Sequence, residues 1–318
     1  MTSTEQSVPP PVPRPVDAPQ PANWRGAVAS LGIGLGGAII GLLPWIVTGM
    51  RLPLQNLWAR NVLPDEMPVA WLPLSQYSVS LLIGLMVVGA AAAGIAARAL
   101  RGRLPSRAPL SIVAGVLFVQ VVATAQSVSA LAAGLQSSEA ATAYLAACIA
   151  LVIFAIVCGL VVLGLIARGP RPGAVIALTL AAIASGWWLT GFIAPVASAG
   201  GELTYALLDV VRWVPPVLVG AAIAWGGIRT PGRIVAAVVS LLLLWIVPAL
   251  ATAVTSAVGS RILLPYPLEM LDYGWGVFTM AVLMPELVVP PLVVAIVVAA
   301  AGLGVRALLA RREGSALQ

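Results

Sequence analysis

Residues 79–107 read VSLLIGLMVVGAAAAGIAARALRGRLPSR. Nothing from Val79 to Ala97 carries a charge, and then Arg98, Arg101, Arg103 and Arg107 arrive together. About 20 apolar residues are what a helix needs to cross the ~30 Å hydrocarbon core of a bilayer. A cluster of arginines beyond the end of such a run resists transfer and is retained on the cytoplasmic side. The same sequence of events recurs along the chain. Arg168 and Arg171 follow one apolar run, Arg229 and Arg233 another, and Arg306, Arg311 and Arg312 close the last.

Working outward from residues 79–107, eight apolar runs qualify as spans: Val28–Thr48, Val79–Ala97, Ser111–Leu131, Ala143–Ala167, Ala174–Ile193, Val211–Ile228, Ile234–Val254 and Leu287–Leu309. The connections that lack arginine clusters carry most of the acids: Asp65 and Glu66, Glu139, Glu202 and Asp209, then Glu269, Asp272 and Glu286. The sequence therefore predicts an all-α polytopic transmembrane bundle of about eight spans with both termini cytoplasmic. Tryptophan follows the same division. Trp45, Trp58, Trp71, Trp187, Trp188, Trp213 and Trp275 fall at the acidic ends or loops, where an amphipathic indole favours the interface.

Composition agrees with the span count. Only 9% of the 318 residues are charged and 60% are hydrophobic, whereas soluble domains carry about 25% charge. So little polar surface leaves lipid, not water, as the solvent of the fold. All seventeen basic residues are arginine, and histidine is absent. A net charge of +6 confined to loops points to anionic headgroups as the charged partner rather than nucleic acid or a nucleotide. Arginine without lysine, beside abundant alanine and valine, suggests a GC-rich genome and a bacterial inner membrane.

Residues 1–23 differ in material, with seven prolines among small and polar residues. They read as a disordered cytoplasmic tail, followed by a single transmembrane domain over 24–312 and a short tail over 313–318. No cleavage site follows the first apolar run, so it is expected to stay as an uncleaved anchor. In the first acidic loop, Leu54, Leu57, Trp58 and Val62 share a helical face, as do Val254, Ala257, Val258 and Ile262 near the last one. Both stretches predict short helices lying at the interface.

The first and last hairpins echo one another. Trp45-Ile46-Val47 matches Trp245-Ile246-Val247, Leu63-Pro64 matches Leu264-Pro265, and Arg98-Ala99-Leu100 matches Arg306-Ala307-Leu308. An even number of spans per unit would make this a parallel repeat of hairpins.

Motifs with chemical meaning are few. Gly32, Gly34 and Gly37 fit G-x-G-x-x-G, but no strand precedes them and a phosphate there would sit in hydrocarbon. The pairs Gly32/Gly36 and Gly37/Gly41 instead suit close helix packing. Without histidine, the Ser-His proteases and H-E-x-x-H metalloenzymes lack their essential group. No cofactor or metal is expected. Asp65 and Glu66, flanked by Arg51 and Arg60, resemble the acidic pair of membrane glycosyltransferases that use lipid-phosphate donors. That resemblance implies carboxylates acting as base or metal ligand and arginines holding phosphate. Gln120, Thr124 and Ser127 recur at i, i+4 and i+7 as an uncharged polar stripe, and Glu286 stands before Pro290-Pro291. These four residues are candidates for a substrate path.

Three functional classes follow. The first is a non-catalytic scaffold or accessory subunit of an envelope or division assembly, binding other membrane proteins. The second is a permease for a neutral or lipid-like substrate, and the third a lipid-linked transferase.

Overall fold

The computed structural model describes residues 24–197, 201–260, 262–263 and 266–315; the tail read over 1–23 lies outside them. Ten α-helices are present among the described residues: α1 Trp24–Val47, α2 Val79–Ala99, α3 Ala108–Gly134, α4 Glu139–Arg168, α5 Arg171–Ala197, α6 Glu202–Val211, α7 Val214–Gly226, α8 Pro231–Gly259, α9 Pro267–Leu283 and α10 Pro285–Ser315. Eight segments are long and apolar enough to cross a membrane, α6 and α7 together forming the sixth. The protein is an integral, multi-pass helical membrane protein. Each expected span corresponds to one of these segments, and four of the eight run further at both ends.

The helices start and stop where side chains dictate. Ser138 caps α4, its Oγ accepting from the Ala141 N–H at 3.2 Å. Pro109, Pro215 and Pro267 stand in the first turns of α3, α7 and α9. A first-turn N–H has no intrahelical acceptor, so proline there loses nothing. At the opposite end of α4, Arg98 donates to the carbonyls of Ile166 at 2.7 Å and Gly169 at 3.2 Å, and Arg101 donates to Ala167. Arg306 does the same for α7, donating to Ala224 and Trp225. The basic clusters thus satisfy carbonyls that a helix end leaves without partners.

The spans form two rings of four. In the first, α1 packs on α2 and α3, α2 packs on α4, and α3 meets α4. In the second, α5 packs on α7 and α8, α7 packs on α10, and α8 meets α10. Spans five to eight therefore repeat, in order, the pairing of spans one to four. Backbone approaches match as well. Gly159 of α4 lies against Met86 and Ala90 of α2, and Gly302 of α10 lies against Ala224 of α7. Around those two glycines the sequence repeats as G-L-x-V-x-x-L-x-A-R, at Gly159–Arg168 and Gly302–Arg311. A second match, W-x-x-T-G, joins Trp45–Gly49 of the first span to Trp187–Gly191 of the fifth. The repeat is parallel, as an even unit requires, but its unit is four spans and not a hairpin. The expected Trp45/Trp245 echo links helices with different places in their rings.

Glycine packing also falls differently from expectation. A Cβ on Gly37 would lie 2.7 Å from Ala93 Cβ, and one on Gly41 would lie 2.3 Å from the Leu85 carbonyl oxygen. Both therefore hold α1 close to α2. Gly32 and Gly36 face open space, with nothing within 4 Å. The tight contact with α3 is made by Gly34, whose Cβ would meet the Ile112 oxygen at 2.1 Å. The expected spacing of four put two residues on the wrong face.

Neither interfacial helix forms as predicted. Residues 51–63 are non-helical, and the segment between α1 and α2 contains one 3-10 turn, Pro64–Glu66. The stretch from Val254 to Gly259 extends α8. Instead α9, read as loop from sequence, runs antiparallel along α8: Gly274 sits against Ala257, and the Val282 carbonyl accepts from Trp245 Nε1 at 3.1 Å. Trp245 is the midpoint of Pro231–Gly259, so α9 ends halfway down its neighbour. Its 17 residues make about 25 Å of helix, short of a full crossing.

Candidate functional site in the second ring

The two rings differ inside, at the end that carries the acids and most tryptophans. In the first ring the interior is filled by the chain between α1 and α2. Leu52, Met67, Leu72 and Leu74 are almost wholly buried there, in one cluster with Leu42, Leu85, Leu131 and Val152 from all four helices. The polar backbone of this plug is satisfied by the ring. Trp45 Nε1 donates to the Ala70 carbonyl at 2.7 Å, Ser127 Oγ accepts from the Leu72 N–H at 2.7 Å, and Gln126 bonds Trp71 and Val69 at 2.9 Å each. Arg51 adds a bond to the Met67 carbonyl at 2.9 Å.

In the second ring the corresponding space is a cavity of about 360 Å³. Trp187 and Thr190 of α5 line it, the counterparts of Trp45 and Thr48 in the repeated W-x-x-T-G. Leu244, Trp245 and Ala249 of α8 form a second wall, Pro215 and Pro216 of α7 a third, and Leu287 and Pro291 of α10 a fourth. Proline interrupts the backbone hydrogen bonding of two walls, Pro248 inside α8 and Pro290 and Pro291 inside α10, while Pro215 and Pro216 start α7. The break between α9 and α10, at Met284 and Pro285, adjoins the cavity through Ala281 and Leu287. Irregular backbone at membrane depth is tolerated where it borders such a space.

Arg212 is the charged residue of the lining, at the α6–α7 joint. It bonds Asp209, three residues before it, at 3.0 Å, and its guanidinium lies 4.7 Å from the Trp213 ring centroid. Both members of the ion pair are more than half exposed, so the bond is worth little and the cation stays available. Thr190 and Thr252, also in the lining, are exposed beside it and mark the mouth. Trp245 spends its N–H on Val282. Trp187 Nε1 has no acceptor among the described residues.

The candidates read from sequence are not brought together. Gln120 is buried on α3 and reaches the Met86 carbonyl at 3.4 Å, leaving its Oε1 without a partner among the described residues. Thr124 bonds back to the Gln120 carbonyl at 2.6 Å, and Ser127 holds the plug. All three belong to the filled ring. Glu286 sits in the first turn of α10, exposed, beside Leu287 and Val288 but not itself in the cavity wall. Asp65 and Glu66 occupy the exposed 3-10 turn, where a Glu66 oxygen accepts from the Leu63 N–H at 2.9 Å. No ion pair joins them to Arg51 or Arg60 among the described residues.

The sequence reading placed Trp187 at the interface and Trp245 in the hairpin echo, and named neither of them nor Thr190 as a site residue. The usable signal was the W-x-x-T-G repeat together with prolines grouped at one level of the last three spans.

A second cavity, about 410 Å³, lies at the arginine end between α2, α3 and α4. Its Arg101 is engaged with the Ala167 carbonyl, and helix ends and loop form its wall. Comparison with protein-family models, curated proteins and solved structures returns no match for this chain. The geometry of the second ring is therefore the basis for a functional reading.

Proposed function

We propose that this protein is a permease for a lipid-like amphiphile, and that the cavity of the second ring is its substrate site. The observation that carries the reading is the unequal filling of two similarly packed rings. One interior is closed by the chain itself, while the other, among the described residues, is a cavity apolar in most of its walls with the Arg212–Asp209 ion pair at its mouth. That combination suits a molecule with an apolar body and a polar, anionic head. Pro248, Pro290 and Pro291 remove backbone hydrogen bonds inside two of the walls, giving points where those helices can flex as substrate passes. Of the three classes left open by the sequence, the scaffold role is supported by no particular feature of the fold, and the acidic pair of the transferase lies outside the cavity. In this reading the arginine end faces the cytoplasm of a bacterial cell, and the cavity opens outward.

Reconstitution of the full chain into vesicles containing a fluorescent phospholipid, with a membrane-impermeant quencher outside, tests the reading. Wild-type protein is expected to expose inner-leaflet label to the quencher. Ala249→Phe, which fills the cavity, and Thr252→Trp, which obstructs the mouth, should both return the signal to that of protein-free vesicles. Labelled lipid that stays protected with wild-type protein, or flux unchanged in both variants, would refute it.

A further inference from the structure

The filled ring shows what its open counterpart is built to hold. In the first ring, Trp45 donates its indole N–H to a carbonyl oxygen, that of Ala70 in the plug. The apolar side chains of Leu72 and Leu74 continue from that carbonyl into the ring. The counterpart in the second ring is Trp187, which lines the cavity and whose N–H has no acceptor among the described residues. Trp187 Nε1 is not among the buried atoms without a partner, so it is accessible to an occupant, and one that covers it must bring an acceptor or leave a donor unsatisfied, which favours a carbonyl over a plain hydrocarbon. At the mouth, Arg212 offers a planar fork suited to phosphate, and its exposed Asp209 partner is readily displaced.

We propose that the second ring binds the neck of an anionic acyl lipid, with Trp187 donating to an ester carbonyl and Arg212 meeting the phosphate. The inference rests on the permease reading and names its substrate class. The cavity volume of about 360 Å³ lies within the ~300–1,000 Å³ range of small-ligand sites. That accommodates the phosphate, the ester region and the start of an acyl chain, with the remaining chain in the bilayer. The plug serves as the built-in equivalent of that neck in the first ring, which accordingly binds no lipid.

The test is lipid binding to the full chain in nonionic detergent, followed by native mass spectrometry. Four probes are titrated: diester phosphatidylglycerol, its diether analogue, diester phosphatidylcholine and inorganic phosphate. The diether lacks the carbonyl, and phosphatidylcholine has a compensated headgroup. Wild-type protein should bind diester phosphatidylglycerol about three- to tenfold more tightly than the diether, the worth of one neutral hydrogen bond. It should prefer phosphatidylglycerol over phosphatidylcholine by about tenfold or more, as a charge-assisted contact requires. Trp187→Phe should erase the first ratio and keep the second; Arg212→Gln should do the reverse. Asp209→Asn should strengthen the second. Trp45→Phe, which disturbs only the plug, should leave both ratios unchanged.

Equal binding of diester and diether by the wild-type protein overturns the carbonyl assignment. Ratios that survive Trp187→Phe and Arg212→Gln, while Ala249→Phe abolishes binding, overturn this inference and leave the permease reading standing. Binding that survives Ala249→Phe as well removes both. Arg212-dependent capture of inorganic phosphate as tight as that of the lipid would assign the site to a free anion instead. Unfolding midpoints measured on each variant separate a lost contact from a lost fold.

Discussion

Gly34 and Gly36 lie two residues apart on α1, and replacing each by alanine should move stability in opposite directions. A Cβ on Gly34 would sit 2.1 Å from the Ile112 carbonyl oxygen and 3.0 Å from the Val116 nitrogen, whereas one on Gly36 meets nothing within 4 Å. Ordinary contact begins near 3.4 Å, so Gly34→Ala drives α1 and α3 apart by more than an ångström. Gaps of 0.5–1 Å already forfeit about a quarter to a half of a dispersion contact. Forcing atoms into a packed interface costs about 1–3 kcal/mol, and no flexible side-chain end is available to yield. Gly36→Ala removes backbone freedom from the unfolded chain and gains up to about 1 kcal/mol. The two variants should therefore differ by about 1–4 kcal/mol. Equilibrium unfolding in mixed detergent micelles, followed by tryptophan fluorescence, measures the difference directly. Equal shifts, or a larger loss for Gly36→Ala, would refute the close approach of α1 to α3 at Gly34.

Three other outcomes are expected. Ser127→Ala should leave the buried Leu72 N–H without its acceptor and lower unfolding stability by about 1–3 kcal/mol, with the region 51–77 gaining the most amide exchange. Arg98→Leu should release the carbonyls of Ile166 and Gly169 and the stacking of the guanidinium over Trp225, 5.1 Å from its ring centroid. Because that contact joins α2 and α4 to α7, limited proteolysis should find new cleavage near residues 99–107 and 227–230. The double variant Asp65→Ala, Glu66→Ala should leave lipid flux at the wild-type level, since Glu66 serves only its own turn; loss of flux would return the acidic pair to the mechanism.

Much of the architecture was readable from charge and hydropathy because lipid imposes its demands locally. A run such as Val79–Ala97 must be helical to satisfy its own backbone wherever it sits in the bundle. The rings were not readable in that way. Which helices touch is set by small residues on particular faces, and the i, i+4 spacing of Gly32 and Gly36 is indistinguishable in sequence from that of Gly37 and Gly41. The same holds for the polar stripe: Gln120, Thr124 and Ser127 look alike as neutral groups in hydrocarbon, yet Ser127 anchors a loop 55 residues away in the chain. The helix α9 escaped notice because glutamate, aspartate and two glycines break its apolar run.

By itself, then, the sequence determined the span count, the segregation of arginine from acid and the near absence of charge from the spans. These are one-dimensional properties, fixed by the cost of placing charge and bare backbone in hydrocarbon. Tertiary structure alone decided that the eight spans form two rings of like pairing, and that one is plugged while the other is open. Whether a tryptophan N–H at this place in the ring meets a loop carbonyl, as that of Trp45 does, depends on what long-range packing brings beside it. A residue's own sequence neighbourhood carries no record of that.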